Sequence, residues 1–154
     1  MRGVPEDYDG WAAAGNDGWS FIDVLPYFRK METDMDITDD FHGTEGPIPV
    51  RRFKKEDWLP FHQAFVESAL KDGYKEDSDM NNPDSSGVGP IPMNNPEGVR
   101  MSTALTYLRA VRHCLNLTIR PNVTVRRVLI EGKKAVGVEV ESGGEIFQLE
   151  ADQI

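Results

Sequence analysis

Three histidines, one cysteine and an acid-rich stretch are the residues of this 154-residue chain with chemistry to offer. A histidine can move protons near neutral pH or ligate a metal. His42, His62 and His113 do not stand four residues apart in any pair, and none falls in an H-E-x-x-H or H-x-E pattern. The flanking pattern places His62 on a helix and His113 at a helix end, where an imidazole meets the negative end of the dipole. None of the three is expected to be catalytic. Asp77-Ser78-Asp79-Met80-Asn81 opens like a calcium loop, but Asn82 replaces the turn glycine and Val88 the bidentate glutamate, so calcium is not expected. Glu32, Asp34, Asp36, Asp39 and Asp40 have no partner histidines and read as a solvated acidic loop. There is no G-x-S-x-G, P-loop or G-x-G-x-x-G. Gly87-Val88-Gly89-Pro90 is no substitute, because proline removes an amide that a phosphate cradle needs. Ser102 and Thr103 have no nearby base, and a helix cap explains them. Spacing alone assigns no catalytic residue, no metal ligand and no reaction.

Composition narrows the class. Hydrophobic residues make up 39% and charged residues 28%, a globular balance able to bury a core. The net charge of −9 repels nucleic acid and anionic lipid, so neither is an expected partner. Cys114 is the only cysteine, which excludes an internal disulfide and a thiolate metal cluster. No apolar run is long enough for a membrane helix and no leader pattern opens the chain, so a cytoplasmic location is expected. On the same ground Asn116-Leu117-Thr118 and Asn122-Val123-Thr124 read as chance matches to the glycosylation tripeptide.

The elements follow from the punctuation. Pro5 and Gly15 bracket a first helix, Pro5–Ala14, and Ser20 with Asp23 caps a second, Phe21–Met31. Pro26 predicts a kink there, or two short helices. A strand is expected at Ile48–Arg51 after the glycine- and proline-rich turn His42–Pro49. The clearest helix runs from Leu59 to Lys71, with Phe61, Phe65, Ala69 and Leu70 on one face and Gly73 ending it. Residues 77–96 read as loops around one strand near Val88–Met93, and Thr103–His113 as a helix capped by Ser102. β-Branched residues then dominate Leu117–Arg120, Val123–Ile130, Ala135–Glu141 and Ile146–Ala151. Gly132, Gly143 and Gly144 make the last three a hairpin meander. The apolar face switches between Val125 and Val128, which predicts a bulge near Arg126-Arg127 or burial on both sides. The expected class is α+β: short helices plus a C-terminal antiparallel meander. The meander stops at Ile154 with no polar tail, so the chain reads as an internal piece of a larger enzyme.

A series of short motifs adds an identity to this outline. Arg2-Gly3 precedes Asp7-Tyr8-Asp9-Gly10-Trp11; Gly18-Trp19-Ser20 and Asp23-Val24-Leu25-Pro26-Tyr27-Phe28 follow. Next come His42-Gly43-Thr44-Glu45-Gly46-Pro47, Arg100-Met101-Ser102-Thr103-Ala104 and Tyr107-Leu108. The series closes with Asn116-Leu117-Thr118, Val125 before Arg127-Val128-Leu129, and Ala135-Val136-Gly137-Val138. In order and spacing it resembles the glucose–methanol–choline (GMC) family of FAD-dependent oxidoreductases, choline and alcohol dehydrogenases above all. Residues 60–99 match least.

The resemblance implies a partial segment of a two-domain enzyme with a Rossmann-like FAD domain. Residues 1–45 are then a helical connecting segment, 46–99 the substrate-side segment, and 100–154 a helix and meander of the FAD domain. It implies FAD as cofactor in the full-length protein and a small-molecule alcohol, choline-like or another primary alcohol, as substrate. Hydride passes to the flavin while a base takes the hydroxyl proton. The phosphate loop and the catalytic histidine are expected outside this stretch, so the 154 residues alone are expected to be inactive. One cofactor contact carries over: at the position matching Val125 the strand offers a backbone amide and carbonyl to the FAD adenine. Trp11, Trp19, Tyr27 and Phe28 are expected to dock the segment onto the rest of the enzyme. The residues also admit a stand-alone α+β binding module, and a lyase that keeps the FAD. Oligomeric state is open.

Overall fold

A computed structural model describes all residues, 1–154. The chain divides into two compact units, Met1–Val111 and Arg112–Ile154.

The first unit begins with α1 (Pro5–Ala13), which Asp7 starts by accepting the Val4 amide at 3.1 Å. Gly15, at φ +93°, turns the chain after it. In α2 (Phe21–Met31) the Ser20 hydroxyl accepts the Asp23 amide, as the capping pattern predicts. Pro26 neither splits nor ends α2. Its missing amide would have bonded the carbonyl of Ile22, a solvent-exposed residue in the first turn, where the loss is least costly. Phe21 and Leu25 are buried, and Tyr8 packs on Phe21 and Phe28 with ring centroids 6.2 and 5.7 Å away. Trp11 meets Trp19 edge-on at 5.6 Å, so these aromatics join α1 to α2 as well as facing outward.

Immediately after α2 the chain forms β1 (Glu32–Asp34), parallel to β2 (Ile48–Val50). The turn at 42–46 closes against β1: the Asp34 amide donates to the Gly43 carbonyl and the Gly46 amide to the Glu32 carbonyl. A Cβ on Gly43 or Gly46 would collide with the backbone of Arg29, Met31 or Glu32, which is why glycine recurs in that motif. A short 3₁₀ turn at Lys55–Asp57 leads to α3 (Pro60–Lys71), ended by Gly73 at φ +93°.

Residues 88–93 form no strand. Only Val88 and Met93 make single bridges, to Glu76 and Arg51, because Pro90 and Pro92 lack the amides a ladder needs. The helix expected at Thr103–His113 forms over residues 103–111, with a π-helical turn, Ala104–Leu108, leading into α4 (Arg109–Val111). Ser102 caps it with no side-chain bond; its carbonyl accepts from Thr106 Oγ1 at 3.1 Å.

The second unit is a three-stranded antiparallel sheet in the order β3 (Thr124–Glu131), β4 (Lys134–Ser142), β5 (Glu145–Glu150). Leu117–Arg120 is not a strand. Gly132, Gly143 and Gly144 take positive φ in the two hairpin turns. Pairing slips between Val125 and Arg127, at the predicted bulge, and again between Leu129 and Ile130. Val140 on the central strand is 1% exposed and anchors the sheet. No helix is long and apolar enough to cross a membrane.

Candidate functional site

The acidic stretch is a solvated loop only in part: Asp36, Asp39 and Asp40 are exposed. Glu32 and Asp34 are buried, and the partners that allow this come from four separate parts of the chain. Arg2 pairs with Glu32 and donates to the Phe41 carbonyl at 2.6 Å. Arg52 gives Nη1 to both Asp34 oxygens at 2.9 Å and Nη2 to Asp79 Oδ1 at 2.6 Å. Its own amide donates to Asp36 Oδ2. The Asp34 carboxylate also receives the amides of Asp36 and Ile37, both at 3.0 Å. A buried carboxylate with this many donors has replaced its lost water.

His42 closes the cluster from within and is fully buried. Nδ1 lies 2.7 Å from Asp39 Oδ1, while Nε2 lies 3.2 Å from Asp79 Oδ2 and 3.7 Å from Asp34 Oδ2. Acidic residues of the stretch therefore do have a partner histidine, and it sits three residues beyond Asp39. The calcium-like segment joins the same structure. Asp79 bonds Arg52, and Asn81 accepts the Arg2 amide at 3.0 Å. Asp77 turns inward to Ser85 Oγ, at 2.5 Å. Ligand-type atoms of Glu32, Asp34 and His42, and of Asp39, His42 and Asp79, lie close enough to share a cation. The counter-charge there is guanidinium, since Arg2 and Arg52 already engage Glu32, Asp34 and Asp79.

Electrostatics follow the geometry. Burial disfavours the charged form of Arg52, yet the hydrogen bonds and charges of Asp34 and Asp79 outweigh it and hold the group above its ordinary value. Burial likewise pushes the Asp39 carboxyl up. The His42 bond, the Phe41 and His42 amides and the imidazole charge outweigh that, leaving it below the usual range. A general base must reach a proton on its substrate. His42, enclosed on all sides, instead ties the 39–46 turn to the 77–81 loop. His62 and His113 are exposed.

Val125, the expected adenine contact, lies on β3 opposite Val140. Its side chain is 57% exposed. In the order β3-β4-β5, β3 is an edge strand, so alternate backbone amides and carbonyls point away from β4 with no strand to pair them. The bulge that follows is held by Arg126 on Glu141 and Arg127 on Glu139, each at 2.9 Å.

Sequence reasoning missed Arg2, Arg52, Glu32, Asp34, His42 and Asp79 as one unit. The available signal was weak: two arginines directly after a strand, and a histidine opening a turn with two glycines. No local spacing links Arg2 to Asn81 or Arg52 to Asp79.

Comparison with known proteins gives a consistent set of likenesses. The family model described as GMC oxidoreductase matches residues 1–154. The chain is 42% identical to an uncharacterised GMC-type oxidoreductase of Rhodococcus erythropolis, over 100% of its own length and 30% of that protein. It is 38% identical to an oxygen-dependent choline dehydrogenase of Photobacterium profundum, over 99% of the chain and 27% of that protein. Among solved structures it superposes on pyridoxine 4-oxidase from Mesorbium loti with a TM-score of 0.91 and 32% identity, covering 99% of the chain and 30% of the other. An FAD-dependent oxidoreductase from Chaetomium thermophilum gives 0.87 at 28% identity, covering 99% of the chain and 28% of the other. The chain thus spans under a third of the length of each of these relatives.

Proposed function

The chain belongs to the GMC oxidoreductase family, and from that membership we propose that it is the part of an FAD-dependent enzyme that braces the cofactor domain and touches the FAD adenine. The reading rests on the match of the family model along all of residues 1–154. The enzyme acts on the CH–OH group of a small alcohol, choline-like or another primary alcohol. When bound, FAD supplies the hydride acceptor.

Residues of this chain fit one part of that group. An adenine edge pairs with one backbone donor and one backbone acceptor, and β3 presents an open strand edge at Val125 beside a bulge. Nothing in the chain fits a pyrophosphate, as the sequence holds no G-x-G-x-x-G. Phosphate binding and proton abstraction therefore fall to residues outside 1–154. The buried Arg52–Asp34–Asp79–His42 cluster holds the 32–52 and 77–81 segments in fixed relation, a positioning role.

The test is to purify the protein expressed from the surrounding reading frame and the 154-residue chain alone. The longer protein is expected to carry FAD that alcohols reduce anaerobically, and the short chain to be colourless. A longer protein without flavin overturns the reading. A yellow short chain overturns the assignment of phosphate binding to residues elsewhere.

A further inference from the structure

The two ring nitrogens of the fully buried His42 are not equally served. Nδ1 meets Asp39 Oδ1 at 2.7 Å. Nε2 has no hydrogen-bond partner, although it lies 3.2 Å from Asp79 Oδ2 and 3.7 Å from Asp34 Oδ2. Asp79 Oδ2 is itself buried and equally without a partner. Its sister oxygen accepts Arg52 Nη2, and both Asp34 oxygens accept Arg52 Nη1, which marks the two groups as carboxylates. A bare ring nitrogen and a carboxylate oxygen both present lone pairs, so something electropositive must stand between them.

Charge balance identifies it. The buried carboxylates Glu32, Asp34 and Asp79 are met by two guanidiniums, Arg2 and Arg52, which leaves one positive charge lacking among the buried groups. The other charged groups around the ring are Asp39 on its own turn and Arg29 of α2, whose Nε donates to the His42 carbonyl at 3.3 Å. A metal ion on Asp34 Oδ2 would stand against the guanidinium that already holds that oxygen at 2.9 Å, and the two would repel. A proton meets no such obstacle. Burial favours a neutral ring, but a neutral ring has one donor for the two carboxylates that flank it. We propose that His42 is held as an imidazolium at neutral pH, donating Nδ1–H to Asp39 and Nε2–H to Asp79, and that this proton latches the 77–81 loop onto the 39–46 turn. Once the ring gives its proton up to solvent, lone pairs oppose one another in the interior. The 77–81 loop, which no regular ladder holds, is the part that leaves. The released loop binds one proton fewer than the docked one, so docking weakens as pH rises past the ordinary imidazole value of about 6.5.

Amide hydrogen exchange in residues 77–81 decides it, read on the protein from the surrounding reading frame and corrected for the intrinsic pH dependence of exchange. A single linked proton predicts that protection falls about tenfold for each pH unit above that value. Protection that does not change with pH overturns the proposal. Asp79→Asn sharpens the contrast, because its amide can accept from Arg52 and donate to a neutral Nε2. Protection in that variant is expected to stay level, and a fall equal to the parent's overturns the latch. Should Asp79→Asn fail to fold, ¹⁵N-labelled histidine in the parent protein gives a direct reading. The ring signal that Asp39→Asn displaces is expected to carry hydrogen on both nitrogens at neutral pH, and a bare Nε2 overturns the proposal. Protection lost on adding EDTA at constant pH assigns the space to a metal ion and overturns it equally.

Discussion

His42 and Asp39 are joined ring nitrogen to carboxylate at 2.7 Å, across a turn three residues long. The contact turns Nε2 toward Asp79 and Asp34. One imidazole thereby addresses carboxylates from β1 and from the 77–81 loop, and that loop has no regular ladder of its own to hold it there.

Acid is expected to loosen this turn. The folded-state value of Asp39 lies below its unfolded value of about 3.9. Its stabilisation is therefore complete above the unfolded value and is lost as pH falls through the folded one. Urea midpoints measured downward from about pH 5 should decline, and Asp39→Asn should flatten part of that slope. An unchanged slope in the variant would show that Asp39 contributes nothing to the acid limb.

Arg52→Met is expected to destabilise the first unit by about 3–5 kcal/mol, because it leaves the buried Asp34 and Asp79 carboxylates without their guanidinium. Arg52→Lys should recover only part of the loss, since a single ammonium does not reproduce a fork spanning two carboxylates. Chemical denaturation of the three proteins measures both effects.

In the second unit Val140→Ala should cost about 2 kcal/mol, as a residue 1% exposed leaves a cavity at the centre of the sheet. The same change at Val125, 57% exposed, should cost well under half of that. Thermal unfolding of the two variants ranks them, and a reversed order would mean the sheet's inner face has been misassigned.

Gly137→Ala tests a steric limit, not a conformational one. A Cβ there would lie 2.5 Å from the Leu149 carbonyl, too close for any side chain. The β4–β5 pairing must part, and amides of β5 should exchange faster with solvent while those of β3 change little. Uniform exchange rates along β5 in the variant would contradict this.

Local order was readable in the sequence where a local interaction creates it. Ser20 and Asp23 announced the start of α2, Gly73 the end of α3, and Gly132 with Gly143-Gly144 the two hairpins. Even the bulge after Val125 showed as a change of apolar face. The charged core was not readable, because its guanidinium bonds join residues 18 to 39 positions apart. β1 is the sharpest case: Glu32-Thr33-Asp34 has the composition of a loop, and becomes a strand only because Arg2 and Arg52 neutralise its side chains while β2 pairs its backbone. The strand expected at 88–93 failed for the opposite reason, its apolar alternation being overruled by two prolines.

Arg52 links Asp34 and Asp79 through one planar group, and that has a consequence for how this protein can change over generations. No single member can be exchanged without stranding a charge in the interior. Replacing the arginine and both aspartates together by apolar residues of similar volume can, by contrast, be close to neutral. The three positions are thus bound to a shared history: they drift together or hold still together, and an intermediate with one of them altered is the barrier between those outcomes.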